Sequence, residues 1–455
     1  MSIFHKKTIT SEEQHRRMLT TPMPKLITAM AIPTTLSQLV SVIYNTADTY
    51  FVSQISTSAS AAVGAAFSLM SIIQAIGYGF AMGAGSLISR NLGAKKDEEA
   101  EKYAVSAVVA ATLIGLLIGV FGLLNLEGLM RLLGSTETML PHACAYARYI
   151  LIGAPFMCCA FVLSGILRSE GMANFSSIGL CSGGILNMVL DPLFIFGLDM
   201  GTAGAALATI LSQFVSLIIL ASAFVTKKSI VSIRLKRISG KLRDYWLIFT
   251  TGLPTICRQG LASFASAELN IHAAVYGDAV VAAITIANKV YLLVRNVVVG
   301  IGQGFVPVAG YNYGAGDKER TREAFWFTTA VGTVICFIAA GVCGCCAPEI
   351  IGWFRDDPEV IEYGRKALLY ASAVMPFMGL STYVNQLYQA LGFKLPASIL
   401  ASCRQGICFL PLILLLPKYL GLTGVQMTQP GADLLTFVVA VPFLIVFMRR
   451  YLKED

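Results

Sequence analysis

Two acidic residues stand where acids are costly. Asp191 follows the uncharged run Phe175 to Leu190, and Leu193 to Leu198 continues uncharged beyond it. An ionised carboxylate in hydrocarbon costs about 2.5–3.5 kcal/mol or more, so it needs a partner or a water-filled cavity. Asn187 lies one helical turn earlier, on the same face. Pro192 removes a backbone donor and disfavours helix at Asp191, which predicts a loosened ladder beside the acid. A second acid, Asp48, sits in another apolar run, Tyr44-Asn45-Thr46-Ala47-Asp48-Thr49-Tyr50. A lone intramembrane Asp can serve helix packing as a hydrogen-bonder. Two of them, each with polar neighbours, favour an ion or proton site, and the chain reads as a transporter arranged around them.

The elements that must position these acids are membrane helices. The chain has 455 residues, of which 56% are hydrophobic and 13% charged, well below the quarter or so charged in a soluble domain. The net charge of +8 comes mostly from basic residues in short connectors, where they report membrane orientation instead of nucleic-acid binding. Eleven Cys fall mostly within apolar segments, and Cys343, Cys345 and Cys346 read as small packing residues. His5, His15, His142 and His272 share no ligand spacing, so a metalloenzyme is not indicated. Residues 1–25 lack the apolar core of a signal peptide and read as a cytoplasmic tail.

Twelve apolar spans are expected: 26–52, 59–89, 102–125, 146–167, 174–198 and 202–225, then 246–275, 280–311, 322–347, 366–391, 397–417 and 424–448. Backbone satisfaction in lipid makes each a helix, so the fold class is all-α and integral to the membrane. The spans group as a first lobe over 26–225, a basic connector over 226–245, a second lobe over 246–448 and a short tail over 449–455. The connector reads as a topology tether. Of the cations clear of the membrane ends, only Arg131, Arg148, Arg355 and Lys418 fall opposite the majority, which predicts both termini in the cytoplasm.

An offset of 221 residues superimposes the chain on itself. It pairs Pro33-Thr34 with Pro254-Thr255, Gly79 with Gly300, Gly83 with Gly304, and Asn91-Leu92-Gly93-Ala94 with Asn312-Tyr313-Gly314-Ala315. Pro155-Phe156-Met157 likewise matches Pro376-Phe377-Met378. Six helices per repeat give both halves one topology, the pattern of alternating-access transporters with a site between the halves. The repeat breaks at the acids: Asp48 pairs with Leu269 and Asp191 with Leu412, which suggests coupling chemistry in the first half only.

Gly302-Gln303-Gly304-Phe305-Val306-Pro307 with Gly310-Tyr311-Asn312-Tyr313-Gly314-Ala315, and Asn187 to Pro192 continued to Gly197, resemble motifs of the multidrug and toxic compound extrusion (MATE) transporters. Paired Asp48 and Asp191 are similar to the DinF-type bacterial and archaeal branch. That resemblance implies a first-lobe cation site from Asp48, Asn187, Asp191 and Thr209, holding H+ or Na+, with no cofactor and no other metal. It also implies lipophilic, mostly cationic or zwitterionic small molecules as substrates, exchanged for the ion by a monomer in a bacterial-type cytoplasmic membrane. Gln38, Tyr44, Asn45, Arg258, Glu268 and Arg295 are the expected cavity residues. Arg258, Arg295 and Arg404 stand within second-lobe helices, where cations line water, pair, or snorkel. A flippase for lipid-linked saccharides is the first alternative, against which the first-lobe acids speak; a channel or membrane receptor is the second.

Overall fold

The computed structural model describes residues 10–451, and those residues form helices and connectors without a strand. Twelve long helices carry the fold among them. The first lobe holds α1 (Met23–Ser53), α2 (Thr57–Gly93), α3 (Asp97–Leu124), α4 (Leu140–Ser169), α5 (Ala173–Gly197) and α6 (Gly201–Val225). The second holds α7 (Leu242–Ala274), α8 (Asp278–Gly314), α9 (Lys318–Cys345), α10 (Pro358–Leu391), α11 (Lys394–Leu420) and α12 (Leu422–Tyr451).

The expected spans match these helices within a few residues, except where charged turns extend a helix beyond its apolar stretch. Helix α10 was placed from 366 and begins at Pro358, because Asp357 caps it by accepting from the Glu359 N–H at 3.0 Å. Helix α3 likewise starts on Asp97, Glu98 and Glu99, acids that suit the positive end of the helix dipole. Helix α7 alone falls short of the apolarity of the other eleven, since Arg258, Glu268 and His272 interrupt it.

Burial divides the helices into a centre and a rim. Helices α4, α8 and α10 are mostly enclosed, whereas α3 turns Leu113, Leu116, Leu117, Val120, Phe121 and Leu124 outward. An outward apolar stripe costs nothing against lipid, so helix association rests on close packing of small residues. Gly115 supplies such a contact, since a Cβ there would lie 2.8 Å from Pro155 Cα.

The expected break at Pro192 takes another form. Pro192 keeps helical dihedrals (φ −62°, ψ −31°), and the helix continues past Asp191 into a π-helical turn over Leu193–Gly197. A π turn absorbs the missing donor by widening the ladder, so the helix is loosened one turn later without being interrupted.

The two lobes meet on the face where the described residues begin and end, through close backbone approaches joined by side-chain hydrogen bonds. A Cβ on Gly93 would sit 2.0 Å from the Tyr311 carbonyl oxygen, and one on its repeat partner Gly314 would sit 2.1 Å from the Arg90 carbonyl oxygen. Gly83 approaches the Ile248 carbonyl (2.2 Å) and Gly304 the Ala31 nitrogen (2.6 Å) in the same way. Hydrogen bonds cross this contact as well. Thr34 Oγ1 donates to Gly300 O at 2.7 Å, Ser86 Oγ to Gln389 O at 2.7 Å, and Arg90 Nη1 to Leu391 O at 2.8 Å. Arg168, near the end of α4, is buried and donates to Gln303 Oε1 across the lobes.

Part of the segment read as a tail is a helix, Ser11–Thr20, closed by a capping box between Thr10 and Glu13. It touches both lobes: Gln14 Nε2 donates to Glu170 O at 2.8 Å, and His15 Nδ1 lies 3.0 Å from the Tyr311 hydroxyl. Glu170, between α4 and α5, is fully buried and accepts from Ser229 Oγ (2.7 Å) and from the Ile230 N–H (2.9 Å). Burial pushes its carboxyl up to about 8, with those donors opposing the shift.

Candidate cation site and substrate chamber

Asp48, Asn187, Asp191 and Thr209 are all buried in the first lobe, on α1, α5 and α6. The one-turn spacing between Asn187 and Asp191 brings Asn187 Nδ2 to 3.0 Å from Asp191 Oδ1. The same amide group donates to Thr209 Oγ1 at 3.3 Å, and that hydroxyl donates onward to Ala205 O at 3.1 Å. Tyr146 of α4, fully buried, donates its hydroxyl to Asp48 Oδ2 at 3.4 Å. Its ring places that hydroxyl among Asp48, Asp191 and Thr209.

Three oxygens in this cluster, Asp48 Oδ1, Asp191 Oδ2 and Asn187 Oδ1, are buried with no hydrogen-bond partner. Neither carboxyl forms an ion pair with Lys, Arg or His among the described residues. Unpaired buried acceptors are costly, and two uncompensated carboxylates out of water more so. Such a donor-poor, oxygen-rich pocket is satisfied by a proton or by a small hard cation that takes oxygen ligands. No group of three His, Cys, Asp or Glu residues converges among the described residues, so a transition-metal centre has no ligand set there.

A separate chamber of about 430 Å³ lies between the lobes and is walled mainly by the second. Phe67, Ser71 and Gln74 of α2 face it, with Gln259, Ser263, Ser266 and Leu269 of α7, Asn288, Leu292 and Arg295 of α8, and Arg404, Gln405 and Gln429 beyond. On α2, α7 and α8 alike, these residues lie farther from the termini than the glycines of the inter-lobe seam. The chamber therefore belongs to the half of the molecule opposite the sealed face.

Of the expected cavity residues, Arg295 lines this chamber and Arg258 immediately precedes Gln259 in its wall. The others are elsewhere. Gln38 borders a small void with Arg168 and Gln303 at the lobe junction. Tyr44 packs against Gly184, and Asn45 donates to Ser41 O at 2.8 Å. Glu268 turns away from the chamber toward His272, 3.8 Å distant, because its neighbours Ser266 and Leu269 occupy the chamber face of α7.

Two residues escaped the sequence reading. Tyr146 is a polar aromatic in an apolar run whose repeat partner is Ala367, the same kind of break that marks Asp48. Asp433 is a second-lobe acid within the span 424–448, in addition to the Glu268 that the sequence reading named. Asp433 Oδ1 pairs with Arg404 Nε at 2.5 Å and accepts from Gln429 Nε2 at 3.3 Å. The Tyr291 hydroxyl donates to Asp433 Oδ2 and accepts from Arg404 Nη2 at 2.7 Å.

The MatE family model matches residues 33–193 and again residues 254–415, at the offset of the internal repeat. The chain belongs to the MatE family. Members of this family are transporters, so this MatE chain is not an enzyme. It is 27% identical over 433 residues to the multidrug export protein MepA of Staphylococcus aureus, covering 94% of both chains. A structure described as the outward-facing conformation of a multidrug resistance MATE family transporter of the MOP superfamily aligns at TM-score 0.90. Identity there is 28%, with 98% of both chains covered. A MOP superfamily transporter from Pyrococcus furiosus, described as having a binding pocket of reverse polarity suggesting a different function, also aligns at 0.90. That pair is 27% identical, over 99% of this chain and 100% of the other. MatE membership, twelve helices and two lobes agree with one another.

Proposed function

We propose that this MatE transporter is a multidrug efflux antiporter that expels lipophilic cationic and zwitterionic compounds in exchange for H+ or Na+. The observation that carries the reading is the trio of unpartnered buried oxygens on Asp48, Asn187 and Asp191. Ion in that pocket and drug in the chamber favour different lobe arrangements, since only differential affinity moves the equilibrium. Asp48 and Asp191 carry the ion, while Asn187 and Thr209 position Asp191 and complete the oxygen set. Tyr146 orients Asp48 and supplies a donor to it.

Both termini lie in the cytoplasm of a bacterial-type cell and the chamber faces outward, a reading supported by the excess of Lys and Arg in the connectors of the terminal face. Residues 26–225 and 246–448 act as the two moving bodies, and 226–245 tethers them as a monomer.

The test is reconstitution in liposomes with a lipophilic zwitterionic dye. An imposed pH gradient or Na+ gradient should drive dye uphill, and dye added without a gradient should release the coupled ion. A channel passes dye only downhill, and a lipid flippase moves no dye at all.

A further inference from the structure

We propose that the second-lobe chamber binds the anionic group of an amphiphilic organic ligand, held by Arg295 with Arg258 behind it. The inference rests on the exporter reading and names a class of compound that its chamber accepts.

Two charged residues, Arg295 and Arg404, line the chamber, with Asp433 paired to Arg404 and Arg258 near Arg295. Arg404 and Asp433 neutralise each other, and both carboxylate oxygens of Asp433 are occupied, by Arg404 and Gln429 on one side and by Tyr291 on the other. Asp433 is therefore spent as a partner for a ligand cation. Arg295 lines the chamber and, like Arg258, has no hydrogen bond or ion pair to a described residue. The guanidiniums of Arg258, Arg295 and Arg404 lie close enough to repel one another. Asp433, already committed, is the carboxylate whose field reaches Arg295.

Arg295 thus remains uncompensated in a half-enclosed space, with Arg258 adding to its field, where an opposite charge gains most. Snorkelling does not relieve Arg295. It stands near the middle of α8 (Asp278–Gly314), and its side chain points into the chamber instead of toward a helix end. A guanidinium without structural bonds has its whole donor fork free for a carboxylate.

The remaining walls define the rest of the ligand. Phe67, Leu269 and Leu292 are apolar, and Gln259, Asn288 and Gln405 carry amides. About 430 Å³ is ample for a drug-sized molecule. An aromatic or aliphatic body with one carboxylate fits this lining, and a simple monocation meets like charge.

The test uses the full chain in phosphatidylcholine nanodiscs and three ligands on one ring: 1-naphthaleneacetic acid, its amide, and 1-naphthylmethylammonium. Isothermal titration should give the acid at least tenfold tighter binding than either analogue. Arg295→Gln should remove at least tenfold of the acid's affinity and leave the amide within twofold, while Arg258→Gln costs the acid less. Ammonium binding as tight as the acid's, or equal losses for acid and amide in Arg295→Gln, overturns the proposal. If Arg295→Gln does not stay monodisperse, the wild-type ratio of acid to ammonium and its fall in Arg258→Gln decide the matter. Binding needs no gradient. Selective binding without ion-driven export therefore sinks the exporter reading alone, and ion-driven export without selectivity for the acid sinks this inference alone.

Discussion

At the scale of single residues, the first-lobe cluster joins two acids to one amide and one phenol with too few donors to go round. Replacing either acid by its amide keeps the volume and supplies two N–H groups to the unpartnered oxygens. Asp48→Asn and Asp191→Asn should therefore insert normally and lose at least tenfold of gradient-driven efflux in liposomes; a wild-type rate in either removes that residue from coupling. Asn187→Ala deletes the donor to Asp191 Oδ1 and Thr209 Oγ1, a loss of about 1–3 kcal/mol for buried partners. It should weaken the ion dependence of transport about tenfold and drug affinity far less, as read by flux at varied ion and by titration of drug. Glu170 titrates outside the membrane spans, from 4.5 when unfolded to about 8 when folded. The folded chain therefore holds its proton more tightly. Its contribution to stability is full below about 4.5 and is lost as pH rises through about 8. Thermal melting in detergent should fall between pH 5 and 8, and Glu170→Gln should flatten that fall.

At the scale of elements, helix length and helix contact are decided by different residues. Apolar length sets the spans, which is why most helices were legible within a few residues, while caps such as Asp357 set the true ends. Helix contacts depend on which small residues face a neighbour, and hydropathy does not encode that. Gly115→Val would push a branched side chain into the backbone of Pro155 and should cost about 1–3 kcal/mol, seen as a lower melting temperature with the helix content kept. The clustering of Asp191 with Asn187 was legible because an acid in an apolar run stands out, and its spacing to Asn187 follows from one helical turn. Tyr146 was not, since a tyrosine in a helix has many duller uses. Asp433 was overlooked although it carries the same signal as Asp191. The placement of Glu268 and Tyr44 depended on helix rotation, which a uniformly apolar run leaves undetermined.

At the scale of the whole molecule, the two lobes close against each other through matching backbone, Gly93 on Tyr311 and Gly314 on Arg90. Because the contacts are repeat partners, Gly93→Ala and Gly314→Ala should act alike. Each should open the terminal face and shift the population toward the opposite arrangement, as measured by spin-label distances between the lobes, with little change in drug affinity measured at saturating ion. Unequal effects would mean that one lobe, and not the symmetric seam, governs closure. The glycine contacts of the seam carry no side chain that could yield alone, and hydrogen bonds from Thr34, Ser86, Arg90 and Arg168 span the same interface. Its contacts must part together, so the sealed face opens as a single event with a definite waiting time. A variant loosened at the seam should therefore cycle faster while leaking ions, as read by flux in liposomes.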